Sequence, residues 1–296
     1  MKEKPFSKYQ ILANAVMIIW TLAIILPLIL LFMSSITDEN TLVANGYSFF
    51  PKKFSLASYS YIIKSGGQIL KAYGVSIGVT VVGTLLNVLL SALMAYPLSV
   101  KNLPGRNVMM FFVFFTMLFN GGIVPSYIMW TGTFHIKDTI FAQLLPNFLL
   151  SAWNVMMIRT YFTTSIPDGL YEAAEIDGAS QFTIFWKIVL PLGKPILVTM
   201  GTFAGLAYWN DWTNGLYYIV KNTGLYNVQN LLNQMVQNIQ FLTQSSNSNV
   251  TAAASTIPAT GIQMAIAFVA ILPIMLIFPS FQKYYAKGIA LGAVKG

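Results

Sequence analysis

Long apolar stretches separated by short polar gaps dominate this chain. A helix needs about 20 mainly apolar residues to cross a bilayer. The stretches 13–34, 72–98, 108–130, 139–161, 196–220 and 257–282 meet that length. The pattern predicts an all-α polytopic membrane protein, one transmembrane domain over 1–296 with six transmembrane helices. Gly121, Gly122 and Pro125 interrupt the third stretch, which predicts an early end and a re-entrant return. Such backbone is stable at membrane depth only where it faces protein or water. Pro27 and Pro273 read as packing kinks in the first and last stretches. The first stretch is too long for a signal peptide and has no small-residue cleavage site, so it reads as a retained helix. No internal repeat is visible, which argues against carriers built from inverted repeats.

The polar gap over 165–191 carries the most information. Its core, Tyr171 to Pro191, reads YEAAEIDGASQFTIFWKIVLP. Ser165 or Asp168 suits an N-cap, and Pro167 suits a first helical turn. Glu172 and Glu175 share one face and favour the positive end of the helix dipole. Ala173, Ala174 and Ala179 leave room for close approach of another surface. Gly178 can adopt the left-handed conformation that ends a helix. Ser180 can start a second helix through Phe182, Phe185, Trp186 and Ile188, which Pro191 and Pro195 separate from the next apolar run. On the residues alone, an amphipathic interfacial helix reads equally well.

Glu172, Ala173, Ala174, Asp177, Gly178, Ile188, Leu190 and Pro191, at this spacing, resemble the EAA loop of ABC importer permeases. FNGGIVPSYIMW (119–130), WND (209–211) and the tail FPSFQKYYAKGIALGAVKG (278–296) are similar to the carbohydrate branch of that family. There the likeness is to the maltose-permease G subunit and to the lipoprotein-linked oligosaccharide permeases of Gram-positive bacteria. The resemblance implies a cytoplasmic coupling-helix loop over 165–191. It implies a subunit that does no bond chemistry and imports a carbohydrate of the oligosaccharide class across a bacterial cytoplasmic membrane. It also implies a second homologous permease, ATPase subunits that bind ATP and Mg, and an extracellular solute-binding lipoprotein. The rival readings are a stand-alone channel or secondary transporter, which leaves the EAA loop unexplained, and a membrane enzyme.

Composition agrees with the membrane reading: 56% of residues are hydrophobic and 9% charged, against about 25% charged in ordinary soluble domains. The net charge of +8 reflects loop lysines rather than a nucleic-acid surface, since no basic face interleaved with aromatics occurs. Of 17 Lys and Arg, Lys2, Lys4, Lys8, Lys101, Arg106, Arg159, Lys187, Lys194, Lys283, Lys287 and Lys295 fall on one side of the predicted topology. Lys52, Lys53, Lys64, Lys71, Lys137 and Lys221 fall on the other. The bias places both termini and the 165–191 loop in the cytoplasm. There is no cysteine, so disulfides and cysteine-ligated metals are excluded. His135 is the one histidine and a metal site is not expected. No P-loop sequence occurs, so the chain binds no ATP by that device.

Asp211 is the one acid inside a predicted span. Buried carboxylates usually face an interior or a water-filled path. Tyr208, Trp209, Asn210, Asp211 and Trp212 suit a sugar path, with aromatic faces for sugar rings and polar groups for hydroxyls. Equally, WND can be a cap that bonds a neighbouring helix. Gly201, Ala204, Tyr208, Asp211, Trp212 and Gly215 share a stripe that combines small residues for close helix contact with aromatic and polar groups. Asn120, Tyr127, Trp130 and Asn154 are weaker path candidates. In the maltose system the resemblance implies that the partner permease holds the sugar. The 221–255 segment is amide-rich, with Val228, Leu231, Leu232, Met235, Ile239 and Leu242 on one helical face. It reads either as a cover for the bundle or as a dock for the binding protein.

Overall fold

The computed structural model describes residues 8–64, 66–244 and 259–293. Its regular elements are helical: α1 Lys8–Ser35, α2 Glu39–Asn45, α3 Ala57–Lys64, α4 Gly66–Ser99, α5 Arg106–Leu118, α6 Ile123–Ile128, α7 Phe141–Leu144, α8 Ala152–Ser165, α9 Asp168–Ile176, α10 Gln181–Ile184, α11 Leu190–Leu192, α12 Lys194–Trp209, α13 Thr213–Tyr218, α14 Val228–Gln244 and α15 Ala259–Ala293. Wide π-turns extend α6 through Met129–Thr133 and α10 through Phe185–Val189.

Among the described residues, three helices are each long and apolar enough to cross a membrane: α1, α4 and the Thr260–Ile277 part of α15. Two bent pairs raise this to five, α5 with Ile123–Thr133 at 110° and Gln181–Leu192 with α12 at 78°. The third predicted stretch therefore breaks where its glycines stand. Gly122 has φ +84°, a backbone that other residues rarely adopt, and the N–H of Gly122 bonds Asn120 Oδ1 at 2.8 Å. The fourth stretch, 139–161, is not one helix. Pro146 follows α7, Asn147 turns back at φ +67°, and α8 starts after Ser151, whose hydroxyl caps Asn154 N–H. Hydropathy is blind to this turn because its neighbours are all apolar. The fifth stretch likewise splits at Asn210–Trp212 into α12 and α13.

The chain divides into two compact units. One comprises the chain through Ile69 with Leu232–Ile274, the other Leu70–Leu231 with the chain from Met275. In the first, Ile62, Ile262, Ala265 and Ile266 form a core beside Tyr59 and Met235. Glu39 fastens it: its two carboxylate oxygens accept the N–H groups of Thr260 (2.9 Å) and Gly261 (2.8 Å), unpaired donors in the first turn of α15. A Cβ at position 261 would lie 2.5 Å from Ser58 Oγ, so a larger residue there would displace the Ser58 hydroxyl. Glu39→Ala is expected to cost about 1–2 kcal/mol, the range for losing a helix cap. Thermal unfolding of the detergent-solubilised protein checks this, and Glu39→Gln should recover part of the loss.

The second unit holds the larger core. Ala92, Ala95, Val155, Ile158, Phe162, Ile184, Phe185, Val189 and Met200 pack together and join α4, α8, α10 and α12. Close approach needs small residues. Gly201 and Gly205 of α12 lie against Val88 and Thr84 of α4, where an added Cβ would sit 3.3 Å away. The Tyr208 ring occupies the space a Cβ would need at Gly83, and its hydroxyl donates to Leu144 O at 2.9 Å.

Candidate functional site: the helical loop over 165–191

The loop folds as two short helices set by local rules. Pro167 is the N-cap residue of α9 and no side chain caps it, so neither Ser165 nor Asp168 takes the expected role. Asp168 lies in the first turn and pairs with Lys101 at 2.5 Å, which fixes the loop to the end of α4. The C-terminus of α9 is a complete Schellman closure. Gly178 has φ +75°; its N–H bonds Glu175 O at 3.0 Å, and Ala179 N–H bonds Ala174 O at 2.9 Å. Ser180 then caps α10 by accepting Thr183 N–H at 3.2 Å. Pro191 lacks an N–H and so cannot close the regular bond to Lys187; the wide turn over Phe185–Val189 precedes it.

One side of this loop is anchored. Ala174, Ile184, Phe185 and Val189 are buried in the core of the second unit. Tyr96 of α4 stacks against Tyr171 at 6.4 Å and packs on Phe185 at 5.5 Å. The Tyr96 hydroxyl donates to Gln181 Oε1 at 2.6 Å, and Gln181 Nε2 donates to Glu175 Oε1 at 2.8 Å. Glu175 is therefore tied to α4 through α10. Burial pushes the Tyr171 hydroxyl pKa up to about 12, so it stays protonated. The other side faces outward. Glu172, Ala173, Asp177 and Gly178 are exposed, and Ile176 (86% exposed), Phe182 (67%) and Trp186 (45%) add apolar surface. Ile188 and Leu190 are half-buried and Pro191 is exposed. The arrangement is a rigid, two-sided element that can pass a displacement of its outer face into α4 and α12.

The sequence missed Tyr96, Lys101 and Gln181. A tyrosine near the end of a span is ordinary at a membrane interface, so nothing in its neighbourhood singles it out.

The WND segment has a different character. Tyr208, Trp209 and Asp211 are buried, whereas Asn210 and Trp212 are exposed, so the five predicted path residues do not share one surface. Asp211 Oδ1 accepts from Thr213 N–H (3.0 Å), Thr213 Oγ1 (2.7 Å) and Asn214 N–H (3.2 Å), which starts α13. Around it lies a buried amide network. Asn227 donates to Asp211 O at 2.6 Å, Asn214 donates to Pro146 O at 3.1 Å, and Asn230 donates to Trp212 O. Gln143 adds bonds to Leu225 O and Asn230 Oδ1 at 3.2 and 3.3 Å. The geometry gives Asp211 the capping role. Asn154 is likewise committed, donating to Asn87 Oδ1 at 2.7 Å while Asn87 donates to Phe148 O at 2.6 Å. Tyr127 stacks on Tyr218 at 5.8 Å, and Trp130 packs on Phe134 at 5.1 Å. Of the apolar face predicted for the 221–255 segment, Val228 and Leu231 are buried. The side chains of Ile239 and Leu242, and all of 245–258, lie outside the described residues, as does the end of the tail. No group of three or more metal-ligating side chains occurs among the described residues.

Comparison with known proteins adds the context. The pattern of the family described as "Binding-protein-dependent transport system inner membrane component" matches residues 74–291. Protein LplC of Bacillus subtilis is 36% identical over 272 residues, covering 92% of this chain and 90% of that protein. The polygalacturonan/rhamnogalacturonan transport system permease protein YtcP, from the same organism, is 35% identical and covers 97% and 98%. A bacterial ABC transporter involved in import of the acidic polysaccharide alginate contains a chain of the same fold. Its TM-score is 0.79 at 26% identity, over 96% of this chain and 100% of that one. With the family pattern spanning most of the chain, this protein belongs to the inner membrane components of binding-protein-dependent transport systems.

Proposed function

We propose that this chain is one permease subunit of an ABC importer for a carbohydrate, with oligosaccharides as the substrate class. The observation that carries the reading is the loop closed at Gly178. It presents an outward face of Glu172, Ala173, Asp177, Ile176 and Phe182 on a base fixed to α4. The names of similar proteins support the substrate class, since they include permeases for polygalacturonan and arabinooligosaccharides. On this reading six segments cross the membrane and both termini are cytoplasmic. A homologous permease completes the pathway, and an extracellular solute-binding lipoprotein delivers the sugar. Separate ATPase subunits hold ATP and Mg and do the hydrolysis, so this chain is not catalytic. Their closure on ATP moves the loop at Glu172, Ala173, Ala174, Asp177, Gly178, Ile188, Leu190 and Pro191, and the spans follow as rigid bodies. Asn210 and Trp212, the exposed members of the WND segment, are the ones open to a sugar path. A stand-alone channel has no use for a loop of this construction.

The test is co-purification and sugar uptake. Tagged protein should recover ATPase subunits, and reconstituted complex should show ATPase activity stimulated by a sugar-loaded binding protein. Glu172 is exposed and makes no ion pair among the described residues, so it is available to a basic residue of the ATPase. Glu172→Lys should cut ATPase recovery at least about tenfold by like-charge contact while leaving the partner permease bound. Undiminished recovery would show Glu172 to be only a helix-end charge, and no ATPase with the wild type would defeat the importer reading.

A further inference from the structure

The far end of α4 carries a feature that the coupling loop does not explain. Asp138 adopts φ +59°, and its Oδ1 accepts three successive backbone N–H groups, from Val220 (2.7 Å), Lys221 (2.7 Å) and Asn222 (3.2 Å). Its own N–H donates to Tyr218 O at 3.0 Å. The bond from Lys221 N–H, with those from its neighbours, holds the Asp138 carboxyl below the usual carboxylate range. Residues 134–140 and 219–225 are locked together by this carboxylate, over a floor of buried Ile136, Tyr218 and Ile219.

The lock has a consequence for charge. Backbone N–H groups hold the Asp138 carboxylate, which stays charged, while Lys137 and Lys221 on either side of it are exposed. The ion pairs among the described residues are Lys53–Asp38 and Lys101–Asp168, so neither lysine closes a salt bridge, although the charge of Lys137 helps hold the Asp138 carboxyl low. Tyr127 orients Lys137, with Nζ 3.2 Å from its hydroxyl and 5.8 Å from its ring centre. Exposed Lys71 joins them, since it lines an open groove of about 460 Å³ that Ile140 and Gly224 also line. Lys71 precedes Tyr96 by 25 residues of one helix, a rise of roughly 40 Å. The lysine rim and the coupling loop are thus at opposite ends of α4.

We infer that Lys71, Lys137 and Lys221 form a docking rim for an acidic patch on the soluble solute-binding protein. The inference rests on the importer reading. Charge complementarity selects the partner, because three exposed lysines outnumber the one carboxylate between them, whose Oδ1 is taken up by backbone N–H groups. A sugar is the poorer occupant: the groove beside Lys71 is walled by glycine and aliphatic side chains, with no amide or hydroxyl to bind sugar hydroxyls. Exposed rim charges act mainly on encounter rate and salt dependence, which is what docking of a freely diffusing protein requires.

The experiment uses the full transporter in nanodiscs and the solute-binding protein that stimulates its ATPase. Association rate is measured against salt for wild type, for the triple variant Lys71→Glu, Lys137→Glu, Lys221→Glu, and for the same positions changed to Gln. The expected result is a wild-type rate that falls steeply with salt. The Glu variant should be about tenfold or more slower at low salt with a flattened salt dependence, and the Gln variant should lie between. Equal rates and slopes in all three overturn the rim. So does unchanged docking with selective loss of uptake of anionic over neutral oligosaccharides, which assigns the lysines to the sugar. ATPase stimulation at saturating binding protein separates the two ideas. Its absence in wild type defeats the importer reading, whereas its presence with equal docking rates defeats the rim alone.

Discussion

Gly178→Val is expected to abolish sugar uptake while membrane insertion and pairing with the second permease persist. Space is not the obstacle, because beyond the adjoining residues no described atom lies within 4 Å of where a Cβ would stand. The obstacle is φ +75°, a region that a β-branched residue enters at a cost of about 1–3 kcal/mol. The chain relieves that strain by moving Gly178 out of the left-handed region. This breaks the bonds from Gly178 N–H to Glu175 O and from Ala179 N–H to Ala174 O. The helices α9 and α10 then lose their fixed angle, and the outward face no longer reports to α4. Uptake in cells, beside ATPase activity of the purified complex, checks this. ATPase turnover without uptake, or loss of both, is the expected result. Gly178→Asn should be far milder, since Asn tolerates the left-handed region. Normal coupled uptake in the Val variant would remove the loop from the mechanism.

The second large effect is expected at Asp211, where Asp211→Ala should cost about 2–4 kcal/mol and reduce the yield of assembled complex. Three donors lose their acceptor at once, in a site only 5% exposed, and buried donors left unpaired each carry a desolvation penalty. Asp211→Asn should behave differently. The amide oxygen can keep all three bonds, and its NH2 replaces Oδ2, which has no hydrogen-bond partner. Asp211→Asn should therefore assemble better than Asp211→Ala, short of wild type by the cost of its unpaired NH2, and uptake per assembled complex should stay close to wild type. A large fall in uptake by fully assembled Asp211→Asn complex would return Asp211 to the sugar path. Yield, thermal stability and uptake measured on one preparation decide between the two.

The contrast between these two sites shows what local patterns can carry. In the 165–191 loop each event depends on residues within a few positions. Gly178 ends one helix, Ser180 starts the next, and Pro191 and Pro195 precede α12. All of these are visible in a one-dimensional reading. The anchor of the loop is not, because Lys101 lies 67 residues before Asp168 and Tyr96 lies 85 before Gln181. At WND, residue types alone left path and cap equally open. Burial separated Tyr208, Trp209 and Asp211 from Asn210 and Trp212, and partners from 143, 227 and 230 surround the aspartate. The Pro146–Asn147 turn escapes a hydropathy reading for a related reason. Hydropathy sums over a window and cannot register one residue in a left-handed conformation.

What the sequence by itself determined is what repeats along the chain or closes within a few residues. That covers the apolar segments, the all-helical class, the two-helix loop with its glycine hinge, and membership suggested by the spacing from Glu172 to Pro191. What only the tertiary structure decided is which polar groups meet. Asp211 became a cap, Glu39 became the cap of a helix 221 positions away, and Asp138 came to rest on three N–H groups more than 80 residues on. The physical reason is that a carboxylate buried or locked in place must find donors, and the nearest donors in space are set by packing rather than by order along the chain.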